Sequence, residues 1–246
     1  NASGVLGTLV SNSPFVLVQD ASGSFGNIAA GGTGTNISNP FSISADPSAF
    51  PGHLASLTIL ESYNSGLTDT TEIVVPVGTR VAQDPIGPDR YGYYAFDNVD
   101  VNYSDCPTYN WVEIDPAYGG SGTEIVLGDE GDYQDKSRTV NLPFTFQFYG
   151  TPFNEVTVCS NGWIAMGQTY LTEYRNWSIP GAGAPNNMLA VFWDDLVQQG
   201  GKVLQWHDAA NHRYIVEWSR MRNIVGGSLE VFEAILYDPA HYPSTS

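Results

Sequence analysis

The chain has few cysteines, few basic residues and no long apolar runs, and each shortage removes a class of function. Its two cysteines, Cys106 and Cys159, form no Cys-x-x-Cys pair, and none of its four histidines stands at metal-ligand spacing to them, which excludes the common thiolate metal sites. Only 9 Lys and Arg face 26 Asp and Glu, a net charge of −17. That excess opposes nucleic acid and anionic membrane surfaces and favours divalent cations or basic partners. No apolar run approaches the ~20 residues that span a bilayer, so membrane insertion is not expected. The start, Asn1-Ala-Ser-Gly, lacks the charged and apolar regions of a signal peptide, so any export signal lies outside the chain. There is no Gly-x-Ser-x-Gly nucleophile elbow. Charged residues make up 14% of the chain, against about a quarter in ordinary globular domains, a profile that suits a β-rich extracellular protein.

What is present is β-pattern throughout. From Gly4 to Arg80, short runs (Val5–Val10, Phe15–Gln19, Phe41–Ala45, Leu54–Glu61 and Glu72–Val77) alternate with Gly, Ser and Asn clusters and show no helical period. They predict a β-sandwich over residues 1–82. Ala21–Pro40, poor in apolar residues, reads as a long surface loop. The Pro/Gly-rich stretch 83–90 reads as a linker, because proline fixes φ and removes a ladder donor. Residues 91–246 form the second domain. There Phe144, Phe146 and Phe148 share one strand face by their period of two. Asn161-Gly162 is a strong hairpin signal between two apolar runs, since both residue types tolerate positive φ.

In order, Phe148-Tyr-Gly150, Val158-Cys-Ser-Asn-Gly162, Phe192-Trp-Asp-Asp195, Val216-Glu-Trp218 and Phe232-Glu-Ala-Ile-Leu236 resemble the extracellular nidogen-like β-domain over roughly Tyr91–Tyr237. The version most similar is a non-catalytic module of secreted bacterial proteins with gingipain-like or subtilisin-like peptidase domains. Phe25–Gly31 followed by Asn39-Pro-Phe41 resembles the immunoglobulin-like module preceding it in such proteins. The resemblance implies an all-β chain of two sandwiches, immunoglobulin-like then nidogen-like, secreted or at the cell surface, with no catalytic residues of its own.

Candidate chemistry is limited. Asp97, Asp100 and Asp105 share one loop and Asp129, Glu130 and Asp132 another; clustered hard oxygen ligands suit calcium, although neither loop fits the helix-loop-helix calcium pattern. In an oxidising compartment, Cys106 and Cys159 are expected to pair as a disulfide. Cysteine catalysis would need a histidine partner for Cys159, and His53, His207, His212 and His241 carry no supporting motif. Asp194 and Asp195 are adjacent, so on a strand they point to opposite faces rather than into one cleft. Trp163, Trp177, Trp206 and the Tyr91, Tyr93, Tyr94 cluster invite glycan stacking, with core packing as the alternative. Asn1, Asn36, Asn102 and Asn176 begin glycosylation acceptor patterns.

The expected function is structural or adhesive, with protein partners: a second copy or flanking domains of a larger protein. A carbohydrate-binding module is the alternative and a hydrolase the third reading. The start resembles the middle of an immunoglobulin-like module, and the end stops where a nidogen-like domain would run into one more strand. Both sandwiches are therefore expected to expose edges, near Val231, Phe232 and Ile235 in the second, that another chain's strand completes, giving fibres or closed oligomers.

Overall fold

Inward and outward residues alternate along the first strand of the computed structural model, β1 (Ala2–Ser11), where Val5, Gly7 and Leu9 are buried and their neighbours exposed. The structure describes all residues except Pro88, Arg90, Ser104, Ala182 and 244–246. Part of the expected linker and the acceptor serine after Asn102 thus lie outside the described residues. The chain is all-β and divides into two compact units, Asn1–Tyr109 and Asn110–Ser246. No helix among the described residues is long and apolar enough to cross a membrane.

The first unit contains β1, β2 (Val16–Asp20), β3 (Ser22–Ile28), β4 (Ser42–Ala45), β5 (His53–Tyr63) and β6 (Leu67–Val77). They form a four-stranded sheet in the order β3-β1-β5-β6 and a separate β2-β4 pair. Leu9, Val16, Ala55 and Leu57 make the core between them, with Phe41, Ile73 and Val75 packed on it. The strand β3 corrects the reading of Ala21–Pro40 as a loop. Gly23 lies directly opposite Gly7 of β1, and a Cβ on either would press into the ring of Phe41. The glycines that weaken the strand signal are what let an aromatic ring lie across the backbone and replace the missing side chains. Phe50, between β4 and β5, stacks on Tyr103 at 5.3 Å and lies against Tyr94 and Phe96, all three from the stretch after β6. The aromatic stretch from Tyr91, assigned from sequence to the second domain, is therefore grouped with the first unit, and the division falls at Tyr109.

The second unit contains β7 (Thr123–Glu124), β8 (Ser137–Phe148), β9 (Thr151–Cys159), β10 (Trp163–Met166), β11 (Met188–Leu189), β12 (Leu196–Val197), β13 (Lys202–Asp208), β14 (Arg213–Asn223) and β15 (Leu229–Tyr237). One sheet runs β11-β10-β9-β8; the other runs β12-β14-β13-β7, with β15 on the free side of β14. Val156, Val158 and Ile164 from the first sheet meet Val203, Val216, Trp218 and Leu236 from the second in a single apolar core. Two sheets packed face to face in this way make a β-sandwich. Strand β14 is buried on both faces. Tyr214, Val216 and Trp218 point to the inter-sheet core, while Ile215 packs with Ile114 and Leu204 in a smaller cluster on the outer face.

Candidate functional site

The hairpin from β9 to β10 is closed by three residues, Ser160, Asn161 and Gly162, because Cys159 pairs directly with Trp163. Only Gly162 has positive φ, at 75°, the arrangement of a three-residue hairpin loop with glycine in the left-handed position. Asn161 therefore has a different job from the one its residue type suggests. It is completely buried and acts as a polar hub. Its Oδ1 accepts from the Leu196 N–H at 3.0 Å, while its Nδ2 donates to Asp135 Oδ1 at 2.9 Å and to the Thr172 carbonyl at 3.0 Å.

The Phe192–Asp195 segment lies on this turn. The Phe192 N–H donates to the Gly162 carbonyl at 2.9 Å and the Asp194 N–H to the Asn161 carbonyl at 3.3 Å. A Cβ on Gly162 would run into the Phe192 carbonyl. Two phrases far apart in sequence, Asn-Gly and Phe-Trp-Asp-Asp, are thus one structural unit. Asp194 caps it, accepting from the Asp195 N–H and from Asn223 Nδ2 at 2.9 Å. The Trp163 and Trp193 indoles both donate to the Glu173 carbonyl, at 3.0 and 2.8 Å, and the Trp218 indole donates to the Cys159 carbonyl at 2.8 Å.

Around this hub the acidic residues are unevenly matched. Asp129 is 0% exposed; neither carboxylate oxygen has a partner at good hydrogen-bond geometry, but the Ser160 hydroxyl and the Gly131 N–H lie close enough to ease its charge. Burial pushes its pKa up to about 6; the nearby Ser160 hydroxyl and Gly131 N–H offset only part of this, and the charges of Asp135 and Asp195 add to it. Asp195 is raised too, first by burial and then by Asp135, Asp132 and Asp194.

A second carboxylate group sits on the outer face of β14. Glu217, fully buried, is directly opposite Glu233 of β15. Each accepts one backbone N–H from the segment crossing that face: Ile114 N–H to Glu217 Oε2 at 2.9 Å and Val112 N–H to Glu233 Oε1 at 3.3 Å. The remaining oxygens, Glu217 Oε1 and Glu233 Oε2, have no hydrogen-bond donor. Burial chiefly pushes the Glu217 pKa up to about 7; the Ile114 N–H lowers it, and adjacent Glu113 and Asp115 raise it further. Glu113 is held by Arg220 at 3.7 Å, and Ser219 Oγ donates to Asp115 Oδ2 at 2.7 Å. The Val112–Asp115 segment is clamped to the sheet by these side chains. In sequence, Glu217 reads as an exposed strand position; the one available signal is Ile215, which makes β14 apolar on its outer face as well.

The residues singled out from sequence fare differently. Asp97 and Asp100 come together, but Asp100 Oδ2 accepts the Asp97 N–H at 2.7 Å and Asp97 Oδ1 the Val99 N–H at 2.8 Å, as turn caps do. Asp105 lies on the same loop. Glu130 and Asp132 are exposed. Among the described residues, no three Asp, Glu, His or Cys side chains are grouped so as to hold a metal ion. The expected disulfide is absent: Cys106 and Cys159 are both free thiols. The physical reason is that Cys159 is enclosed by Trp163, Ala165, Met188 and Trp193 of its own unit. Burial raises its thiol pKa far above the ordinary range, which leaves it a poor nucleophile at neutral pH. A thiol reagent is accordingly expected to modify half-buried Cys106 in the native protein and Cys159 only after unfolding. Equal native reactivity would show that the Cys159 enclosure opens.

Of the aromatic residues considered for sugar stacking, Trp163 is a core residue with no exposed face. Tyr94 packs on Phe50, and Trp177 is exposed.

A sequence profile of the family described as NIDO related matches residues 108–239, a span that begins two residues before the second compact unit, which starts at Asn110. No curated protein and no solved structure matches the chain. The matched span contains the Asn161-Gly162 hub, the Phe192–Asp195 segment seated on it and the doubly buried β14 strand, and by that match the chain belongs to the nidogen-related family.

Proposed function

We propose that the chain is a non-catalytic extracellular module of a larger secreted or cell-surface protein, an immunoglobulin-like sandwich ahead of a nidogen-related one, working by adhesion and assembly through strand addition. The observation carrying this reading is the edge formed by β6. It pairs with β5 from Leu67 to Val77 with no bulge in the register, and among the described residues no strand pairs with its other side. The outer face of the same sheet exposes Leu6, Leu54, Leu60 and Val74. A long regular edge offers a row of backbone donors and acceptors, and an incoming strand gains both ladder bonds and apolar burial. Only Asp69, Glu72 and Pro76 interrupt it, few of the devices that keep natural edges unpaired.

The edge expected at β15 supports the reading less. Val231 is exposed, but Phe232 stacks on Trp218 at 4.9 Å in the inter-sheet core and Ile235 packs on the outer-face cluster of Ile114, Leu204 and Ile215, so both faces of the strand are already partly covered.

Light scattering across a concentration series tests the proposal. Mass is expected to rise with concentration in the wild type and to stay monomeric in a Thr70→Lys, Val74→Lys double variant, whose charges sit on the β6 edge strand. A wild type that remains monomeric, and that also fails to bind the flanking domains of its parent protein, would sink strand addition at β6.

A further inference from the structure

We propose that the second unit holds a binding site for a neutral saccharide, in the pocket between the two ends of the β10–β11 connection. The side-chain amides of Gln168, Asn186 and Asn187 are its recognition groups and the Phe153 ring is its apolar wall. The site is independent of strand addition at β6, and either can fail alone.

The connection, residues 167–187, has no strand or helix among its described residues. Loops of this length inside a compact domain are uncommon and usually either carry function or lack fixed structure. This one is held in place. The Trp163 and Trp193 indoles donate to the Glu173 carbonyl and Asn161 Nδ2 to the Thr172 carbonyl. Its two ends are tied to the same sheet. The buried Thr157 hydroxyl donates to the Gly167 carbonyl at 2.8 Å and accepts from the Thr169 N–H at 3.1 Å, while the Asn187 carbonyl accepts from the Met166 N–H at 3.0 Å. Between these ends lies a cavity of about 440 Å³, inside the range of small-molecule sites. Because backbone bonds already set its walls, a ligand does not have to order them on binding.

The lining decides the class of ligand. It contains no Asp, Glu, Lys, Arg or His, although the chain carries 26 acidic and 9 basic residues. An ionised ligand would leave water for a pocket without a counter-charge, which is costly. The backbone donors are also spent. The N–H groups of Met166, Gly167, Thr169, Leu171 and Ala184 bond to oxygens of Asn187, Glu155, Thr157, Thr169 and Gly181. No row of main-chain donors is left for a peptide to pair with as an added strand.

Recognition therefore falls to side chains. Gln168, Asn186 and Asn187 are exposed, and their amides make no hydrogen bond to another described residue. An amide offers both donors and an acceptor, which matches hydroxyls that do both. Half-buried Phe153 supplies apolar surface: its ring lies beside Gly167, where a Cβ would stand 3.5 Å from it. A neutral sugar carries hydroxyls around its rim and C–H groups on its faces, and these are the two kinds of surface the pocket presents.

The experiment screens the whole chain on an array of neutral and anionic glycans and follows the hits by saturation-transfer NMR, beside an uncharged, capped pentapeptide of alanine and glutamine. Binding to one or more neutral glycans is expected. It should weaken about 10-fold or more in a Gln168→Ala, Asn186→Ala double variant, which removes two hydrogen-bonding groups. Trp177→Ala should leave it unchanged, since that exposed indole is not part of the lining. Tryptophan fluorescence melts check folding, because all six tryptophans lie in the second unit. Should the double variant melt early, Gln168→Ala alone carries the test. No binding to any neutral glycan, binding that the amide variants retain in full, or binding lost only in Trp177→Ala would overturn the site. Binding of the peptide alone, lost in the double variant, would make the pocket a peptide site and overturn the saccharide assignment.

Discussion

Gly162→Ala is expected to destabilise the second unit by about 3–5 kcal/mol. Two effects add. Alanine at a φ of 75° costs roughly 1 kcal/mol in the left-handed region. The larger effect is the collision with the Phe192 carbonyl, which lifts the Phe192–Asp195 segment off the turn and breaks the bonds from the Phe192 and Asp194 N–H groups. A buried backbone group left without a partner costs about 1–3 kcal/mol.

Gly200→Ala separates the two effects. Its φ is also positive, at 97°, but a Cβ there meets nothing within 4 Å, so it should cost only the backbone share. Urea unfolding followed by tryptophan fluorescence reads this unit alone. Equal midpoints for the two variants would mean that the contact between the turn and the Phe192 segment contributes nothing. Asn161→Asp probes the polar half of the same hub. It keeps the acceptor for Leu196 but removes the donor to Asp135 and Thr172 and adds a fourth charge near Asp129, Asp135 and Asp195.

The second large effect is a loss of stability as pH rises from acid to neutral, opposite to the usual behaviour of salt-bridged carboxylates. Glu217 has its folded pKa raised from 4.5 to about 7. Between those values the folded state holds a proton that the unfolded state has released, so stability falls as pH increases. The contribution is complete below about pH 4.5 and gone above about pH 7; it amounts to roughly 3 kcal/mol.

The groups facing Glu217 are Glu113, Asp115 and Glu233, with Arg220 on Glu113 and Arg213 acting on Glu233. Asp115 works the other way. Burial raises its pKa, but bonds from Ser219 and the Ala117 N–H, together with the charges of Lys202 and Arg220, more than reverse this, so its contribution is lost only in stronger acid. Glu217→Gln keeps an acceptor for the Ile114 N–H and offers a donor to Glu113. The variant should match wild type near pH 4.5 and exceed its stability by roughly 3 kcal/mol near pH 8. A wild type with flat stability across that interval, or a glutamine variant weaker at pH 8, would show that Glu217 is ionised in the folded protein.

Much of the architecture was legible in the sequence because it rests on local periodicity. Alternation over Val5–Val10, the aromatic spacing of Phe144, Phe146 and Phe148 and the Asn161-Gly162 turn are each set within a few residues. The ordered phrases of the second unit were enough to point to its family.

What the sequence could not determine lies where distant segments meet. The glycines of Ser22–Ile28 look like loop residues until Phe41 lies across them. Asn161 looks like a turn former, and only the arrival of Asp135, Thr172 and Leu196 makes it a buried hub. Asp129, Glu130 and Asp132 are equivalent acidic loop residues in sequence, yet the bonds through Gln198 bury the first and leave the others in water. Glu217 reads as a solvent-facing position until the Val112–Asp115 segment covers it. Cys159 is tied not to Cys106 but to the wall of tryptophan and methionine around it. Backbone pattern is a short-range property written in adjacent residues, whereas burial and the charge state that follows from it depend on which remote segment closes over a side chain, and that is decided by tertiary packing.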